Sequence, residues 1–319
     1  LPILKEPEPI RLTLLAAGYN LVHDVIYQQA FSRTGGEGYS FSPLYERLQG
    51  DIAAADIAFI NQETIMDDTR PPSGYPAFNT PSVMASQLAG AGFDIVNLAN
   101  NHMLDLGITG LEASMDVIDG TQGLTRIGAW REGEDKTQIA LAKVKGVTFA
   151  FVGFAEYTNV GGSSMYRDQI VYTDDWPIIE AQLAAARERA DVVVVSVHFG
   201  TENVTVPNQA QEAFARRMNE LGADIVLGHH PHMVQPVEVL EDEGGHRTLV
   251  FYSLGNFVSA QSRPDNLVGL MPIIPIEKAP DGKISVGDPL CRAVVTHYDS
   301  GMRNLSLYPL EEYSPSLAD

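Results

Sequence analysis

A four-layer α/β fold, with two mixed sheets face to face and helices on the outside, is what this sequence predicts. Three observations carry the prediction. Strand-like and helix-like stretches alternate through the early part of the chain, which implies a parallel sheet covered by helices. The closing part is strand-rich, which suggests a second, mixed sheet. Short polar clusters stand where hydrophobic runs end: Gly18-Tyr19-Asn20, Asn61-Gln62-Glu63, Asn100-Asn101-His102, His198-Phe199-Gly200 and Gly228-His229-His230-Pro231-His232. In α/β folds ligands gather beyond the C-terminal ends of strands. Four of these five clusters follow strands at that end, as a single composite site requires.

Taken in order, Arg11–Ala17 is an apolar-rich strand, and a helix runs from about Leu21 to Phe31. Ile57–Ile60 is a second strand. Thr69–Thr80 is rich in Pro and Gly and reads as a surface loop. Pro81 suits the first turn of a helix whose stripe is Val83, Leu88 and Ala91. Ile95–Leu98 is a strand, Gly107–Ile118 a helix and Leu124–Ile127 a short strand. Ile139–Val144 and Val147–Phe154 flank Lys145-Gly146, a hairpin turn.

Ile178–Arg189 is a helix with Ala on its packing face. Val192–Val197 is almost purely β-branched, as in a strand buried on both faces. Gln209–Leu221 is helical, and Ile225–Leu227 runs into Gly228-His229. Met233–Leu240, Thr248–Ser253, Leu267–Ile274 and Ala293–Tyr298 supply the remaining strands. Residues 1–10 read as a linker remnant and residues 11–319 as one domain.

The 319 residues are 45% hydrophobic, enough for a sizeable core. A net charge of −20 argues against nucleic acid and anionic lipid as partners, since both need a basic face. Cys291 is the sole cysteine, so intrachain disulfides and thiolate metal clusters are excluded. No apolar run reaches the ~20 residues that span a membrane. The chain opens at Leu1-Pro2-Ile3, and Glu6-Pro7-Glu8-Pro9 resembles the end of a linker. A trimmed signal or anchor segment is therefore expected, and with it an extracytoplasmic, membrane-anchored protein.

The clusters carry the chemistry. Imidazole, carboxylate and amide oxygen are the donors of a borderline divalent cation such as zinc, manganese or iron. His229, His230 and His232 within four residues after a buried strand read as metal donors rather than a polar turn. His198 at a strand end reads likewise rather than as a core histidine. Asn101 is drawn in by its neighbour His102, against the alternative of a turn-forming asparagine. Glu63 offers hard oxygen, against the alternative of a helix cap. His246 and His297 stand without companions and read as surface or packing residues. Tyr252 and Phe257 read as core. Tyr157, Tyr166 and Trp176 lie near loops and read as packing rather than cleft residues. Gly161-Gly162-Ser163-Ser164 lacks the Lys-Ser/Thr ending of a phosphate loop and reads as a flexible loop near the site. Arg167, Arg263 and Arg292 are the cations that could make a cleft locally positive.

Asn61-Gln62-Glu63-Thr64, Ala99-Asn100-Asn101-His102, His198-Phe199-Gly200-Thr201-Glu202, Gly228-His229-His230-Pro231-His232 and Tyr252-Ser253-Leu254-Gly255-Asn256-Phe257 resemble the CapA family. These are bacterial capsule or poly-γ-glutamate synthesis proteins of the calcineurin-like metallophosphatase superfamily. The resemblance runs from about Arg11 to Val258 in the family's order. It implies one or two divalent ions that activate a water for in-line attack on phosphorus. It implies Glu63 as the carboxylate shared by both ions, with Asn101 and His198 as further ligands. His230 and His232 complete the set, with His229 open as an alternative first member. His102 is implied as the acid that protonates the leaving oxygen, oriented by Asp105 three residues on. Asn20 and Asn256 are implied in support.

One position departs from the family. Its first strand ends Gly-Asp, and that Asp is a ligand; here the pair is Gly18-Tyr19. A phenol with an ordinary pKa near ~10 is a poor ligand for zinc or manganese at neutral pH, though Tyr ligates ferric iron. His23 and Asp24 lie one helical turn farther along, roughly 6–7 Å on, which is awkward for a replacement. The expected partner is poly-γ-glutamate or another acidic or phosphorylated molecule, in a membrane-bound synthesis complex. A non-catalytic polymer-binding or assembly role is the alternative.

Overall fold

The computed structural model describes residues 8–161 and 166–318. Most of the linker remnant and the Gly162–Ser164 part of the glycine-serine segment lie outside the described residues.

The first sheet opens with β1 (Ile10–Asn20). Helices α1 (Asp24–Arg33), α2 (Ser42–Tyr45) and α3 (Gln49–Ala54) lead to β2 (Ile57–Gln62). Helix α4 (Val83–Ala91) leads to β3 (Ile95–Asn97), and α5 (Gly107–Asp119) to β4 (Thr125–Ile127). These four strands lie parallel in that order. The chain then builds the second sheet, starting with the hairpin β5 (Ala140–Val144) and β6 (Val147–Ala155). Lys145 and Gly146 turn it with φ of 48° and 81°, as a type I′-like turn requires. Helix α6 (Trp176–Arg189), β7 (Val192–His198), α7 (Gln209–Glu220), β8 (Ile225–His229), β9 (Val237–Glu241) and β10 (Arg247–Phe251) follow. The order across this sheet is β5-β6-β7-β8-β10-β9.

The chain then returns to the first sheet. β11 (Asn256–Val258) pairs parallel with β1, and β12 (Val268–Lys278) pairs antiparallel with it. β13 (Ile284–Val286), β14 (Leu290–Asp299) and β15 (Arg303–Pro309) extend that side antiparallel.

Side-chain alternation explains the layers. In β1, Leu12, Leu14 and Ala16 join the core between the sheets, while Leu15 and Ala17 join the core under α1–α5. In β7, Val192 and Val194 face the first sheet, and Val193, Val195 and Val197 face α6 and α7. Strands buried on both faces need apolar residues at every position, which is why the Val192–Val197 run is continuous. Phe59, Phe149, Phe151 and Phe251 fill the space between the sheets, each worth roughly 1.5–3 kcal/mol relative to exposure. The result is the expected α-β-β-α sandwich. No helix among the described residues is long and apolar enough to cross a membrane.

Some details differ from the sequence reading. The strand expected from Met233 begins only at Val237, because residues 233–236 are taken up by the turn after the histidine cluster. The Pro/Gly-rich stretch is a loop, but Phe78, Asn79 and Thr80 at its end are buried. There Asn79 caps the loop from inside, accepting from Asp67 N at 2.9 Å and donating to Asp67 O at 2.9 Å.

Candidate functional site

Strand register assembles the site. Tyr19 lies opposite both Asn61 and Asn256, and Asn61 lies opposite Asn97. On the second sheet His198 lies opposite His229 and Ala155. The clusters from both sheets therefore meet at one end of the sandwich. Two glycines make this geometrically possible. A Cβ on Gly18 would sit 2.0 Å from Gly255 O, and one on Gly228 would sit 2.1 Å from Tyr252 O. Only glycine lets these backbones approach so closely. The β1–β2 register also shifts between Ala17 and Tyr19, a bulge that re-aims the end of the strand.

The first-sheet side is largely a closed hydrogen-bond network. Asn20 Nδ2 donates to Gln62 Oε1 at 2.7 Å, and the Tyr45 hydroxyl donates to Asn20 Oδ1 at 2.8 Å. Gln62 Nε2 donates to Thr64 Oγ1 at 2.7 Å and to Thr64 O at 3.0 Å. Asn97 Nδ2 donates to Asn61 Oδ1 at 2.8 Å. Asn100 donates to Gln62 O and Leu98 O and accepts from His102 N. Asp105 Oδ2 lies 2.8 Å from His102 Nδ1 and also accepts from Phe78 N at 2.8 Å. The carboxylate thus accepts from His102 Nδ1–H and leaves Nε2 as the working nitrogen of His102.

The second-sheet side holds four histidines in fixed settings. His232 Nδ1 lies 2.9 Å from Asn256 Oδ1. The Asn256 amide nitrogen is already committed to Asn266 O and Gln261 Oε1, so its oxygen faces His232 and must accept. The lone pair of His232 is then on Nε2. His230 Nδ1 lies 3.1 Å from His198 Nε2, and its Nε2 lies 2.9 Å from the Tyr157 hydroxyl. His229 occupies the inter-sheet face, its ring stacked 5.8 Å from that of Phe59. Both His230 and His232 have positive φ, 103° and 58°, a strained backbone of the kind concentrated at functional sites.

Tyr19 fills the centre. It is fully buried, with its ring 5.1 Å from His232, 5.6 Å from His229 and 5.9 Å from His198. Around it is a set of buried polar atoms without hydrogen-bond partners: Tyr19 Oη, Asn61 Nδ2, both Glu63 carboxyl oxygens, Asn101 Oδ1, His198 Nδ1 and both His229 nitrogens. Burial pushes the Glu63 carboxyl well above the usual carboxylate range, with Glu202 and Asp105 adding to the shift. Burial likewise raises the Tyr19 phenol well above its ordinary value, with Glu63 next in importance. Burial lowers His229 and His230 to about 3, and His198 falls well below its usual range. His198, His229 and His230 are therefore neutral and carry lone pairs.

These atoms fit a divalent cation in their chemistry. A buried carboxylate without a partner costs several kcal/mol (roughly, after relaxation) unless it is protonated or meets a cation. Two nitrogens bound to one ion at ~2.0–2.1 Å stand roughly 2.9–3.4 Å apart for right-angle to tetrahedral arrangements. The 3.1 Å between His230 Nδ1 and His198 Nε2, a hydrogen-bond contact in this structure, falls within that range, and His198 Nδ1 is the nitrogen left without a partner. Among the described residues, though, no three His, Cys, Asp or Glu side chains form a ready-made metal group. Tyr19 stands at the strand-end position where the family resemblance implies an aspartate.

Sequence reasoning gave no site role to three neighbours of the site. Glu202 raises Glu63 and Tyr157 electrostatically from four residues beyond His198. Tyr157, read as packing, bonds His230. Asn159 accepts from Asn101 Nδ2 at 3.3 Å. Two of the three candidate cations are engaged by surface carboxylates: Arg167 pairs with Asp174, and Arg292 with Asp51 and Glu311. His246 and His297 sit elsewhere, bonded to Ala223 O and to Tyr313 and Asp299.

Comparison with known proteins agrees with this architecture. The family described as bacterial capsule synthesis protein PGA_cap matches residues 13–261. The PGA biosynthesis protein CapA of Bacillus subtilis (strain 168) is 38% identical over 170 residues, covering 53% of this chain and 43% of that protein. The capsule biosynthesis protein CapA of Bacillus anthracis is 35% identical over 175 residues, covering 54% and 41%. The chain thus matches less than half the length of either relative. In fold it resembles the Haemophilus influenzae NAD nucleotidase, with a TM-score of 0.53 at 12% identity over 95% of this chain and 61% of that one. The match across the strand-end clusters places the chain in the bacterial capsule synthesis protein family PGA_cap, on a metallophosphatase-like sandwich.

Proposed function

We infer that this chain serves bacterial capsule or poly-γ-glutamate metabolism outside the cytoplasm, through a metal-dependent phosphoesterase-type site weakened by Tyr19. The observation that carries the reading is the set of unpartnered buried donors on Glu63, Asn101, His198 and His229, with the rings of His230 and His232 beside them. Glu63, Asn101, His198, His230 and His232 would hold one ion of manganese, zinc or iron, with His229 as the alternative to His230. Such an ion supplies Lewis acidity toward a phosphoryl oxygen and a lowered water pKa. The residues do the rest. Asp105 accepts from His102 Nδ1–H and would stabilise the doubly protonated ring, whose Nε2–H is the proton to be delivered to a leaving oxygen. Asn256 keeps the lone pair of His232 on Nε2, and the closed Asn20–Gln62–Thr64 network holds the strand end that presents Glu63. Poly-γ-glutamate or another acidic or phosphorylated molecule is the proposed partner, in a membrane-bound synthesis complex.

Tyr19 also favours a second reading. A buried phenol in place of a carboxylate leaves a cleft that binds an acidic polymer or an assembly partner without hydrolysing it. Hydrolysis of nitrophenyl phosphoesters and a γ-glutamyl anilide, with manganese added, separates the two. The hydrolase reading expects Tyr19→Asp to exceed the wild-type rate at least about tenfold. It also expects His102→Ala in that background to lose roughly 100-fold or more. No turnover by either wild type or Tyr19→Asp would favour the binding role.

A further inference from the structure

Strand β6 ends at Ala155, and the next four residues cross the mouth of the site from one sheet to the other. Glu156 N donates to His198 O at 2.8 Å, and a Glu156 carboxylate oxygen accepts from Gly200 N at 2.8 Å. The Tyr157 hydroxyl meets His230 Nε2 at 2.9 Å. Asn159 N donates to Asn101 O at 2.8 Å, and Asn159 Oδ1 accepts from Asn101 Nδ2 at 3.3 Å. The Asn159 amide nitrogen lies 3.3 and 3.5 Å from the two ring nitrogens of His102. One short segment therefore touches groups from both halves of the site.

We propose that Tyr157 and Asn159 are positioning residues that decide which atoms of His230 and Asn101 face a bound cation. This rests on the reading of those two residues as metal donors. The chemistry follows from the donor inventory. A neutral imidazole carries one proton, so a cation taking the lone pair of His230 Nδ1 requires that proton on Nε2. Its acceptor there is the Tyr157 oxygen, which can both accept and donate and so serves the empty and loaded states alike. Asn101 has two chemically different ends. Because Nδ2 is spent on Asn159 Oδ1, the unpartnered atom is Oδ1, the end that binds metal. Partners of this kind around metal-ligating side chains are worth roughly 10- to 100-fold in metal affinity.

The test is manganese titration calorimetry on the full chain, with Tyr157→Phe, Asn159→Ala and Asn159→Asp beside the wild type. Side-chain nitrogen NMR of the histidines follows, metal-free and zinc-loaded. The proposal expects Tyr157→Phe and Asn159→Ala each to weaken binding about 10-fold or more. Asn159→Asp, which keeps an acceptor oxygen, should recover most of that loss. The zinc-loaded wild type should carry the His230 proton on Nε2. Unchanged affinity in both Tyr157→Phe and Asn159→Ala would overturn the proposal. If the wild type binds no ion, the metal reading fails and the metal-free spectra decide. A shift confined to the His230 nitrogens in Tyr157→Phe upholds the contact, and an unshifted His230 rejects it.

Discussion

Two groups of buried polar side chains share the same end of the sandwich and differ in one respect. The Asn20–Gln62–Thr64–Asn97–Asn100 group has its polar atoms paired within the chain, and His102 is held by Asp105. The Tyr19–Glu63–Asn101–His198–His229 group retains partnerless atoms at equal burial. A buried polar atom without a partner costs about 1–3 kcal/mol. The first group therefore supports the fold. The second sits at a cost that a bound cation would remove, since its donors, all oxygen and imidazole nitrogen, are of the types that divalent cations take. The contrast separates scaffold from site where sequence position does not, since Gln62 and Glu63 are neighbours in the chain.

The largest effect expected of this contrast is on the scaffold side. Gln62→Leu removes the acceptor of Asn20 Nδ2 and the donor to Thr64, and should lower stability by roughly 2–4 kcal/mol in urea unfolding. A loss under about 1 kcal/mol would mean that the closed network is not what holds this end together.

Glu63 should behave in the opposite sense. Its pKa lies well above its ordinary 4.5 in the folded protein, so the folded state keeps a proton that the unfolded chain releases. This contribution is intact below that ordinary value and is lost as pH climbs toward the raised folded value. Without metal, stability relative to Glu63→Gln should therefore fall with rising pH by about 1.4 kcal/mol per unit within that window. Saturating manganese should flatten the decline. Parallel pH profiles for the two proteins would remove Glu63 from the unpaired group.

The smallest effect belongs to Glu202, which is exposed and acts on Glu63 and Tyr157 only through the field. Glu202→Gln should weaken manganese binding by at most about fivefold, an effect that salt diminishes. A larger loss would make Glu202 a direct ligand.

The strand ends were legible because a run such as Val192–Val197 can only be a strand buried on both faces, so the residue after it falls at a predictable edge. The same logic placed Tyr19, Glu63, Asn101 and His229 at one end. β11 was not legible, because Asn256–Val258 opens on a polar residue and forms no apolar run, and its position follows from pairing with β1. β15 was readable in principle, since Leu305 and Leu307 alternate with exposed or half-buried neighbours. Helices α2 and α3 are too short for a stripe. Tyr157 and Asn159 carried no signal, because a tyrosine or asparagine in a loop looks the same whether or not a histidine lies across from it. His229 and His230 separated only when strand pairing put one between the sheets and the other against His198.

The most direct measurement is metal content by elemental mass spectrometry, on protein purified without chelator or affinity metal, for the wild type, Tyr19→Asp and Glu63→Gln. The unpaired group is held to be a cation site short of one carboxylate. One ion or less per wild-type chain, rising toward two in Tyr19→Asp and falling in Glu63→Gln, is the predicted result. Metal absent from the wild type and from Tyr19→Asp alike would contradict it, and the partnerless atoms around Tyr19 would need another ligand.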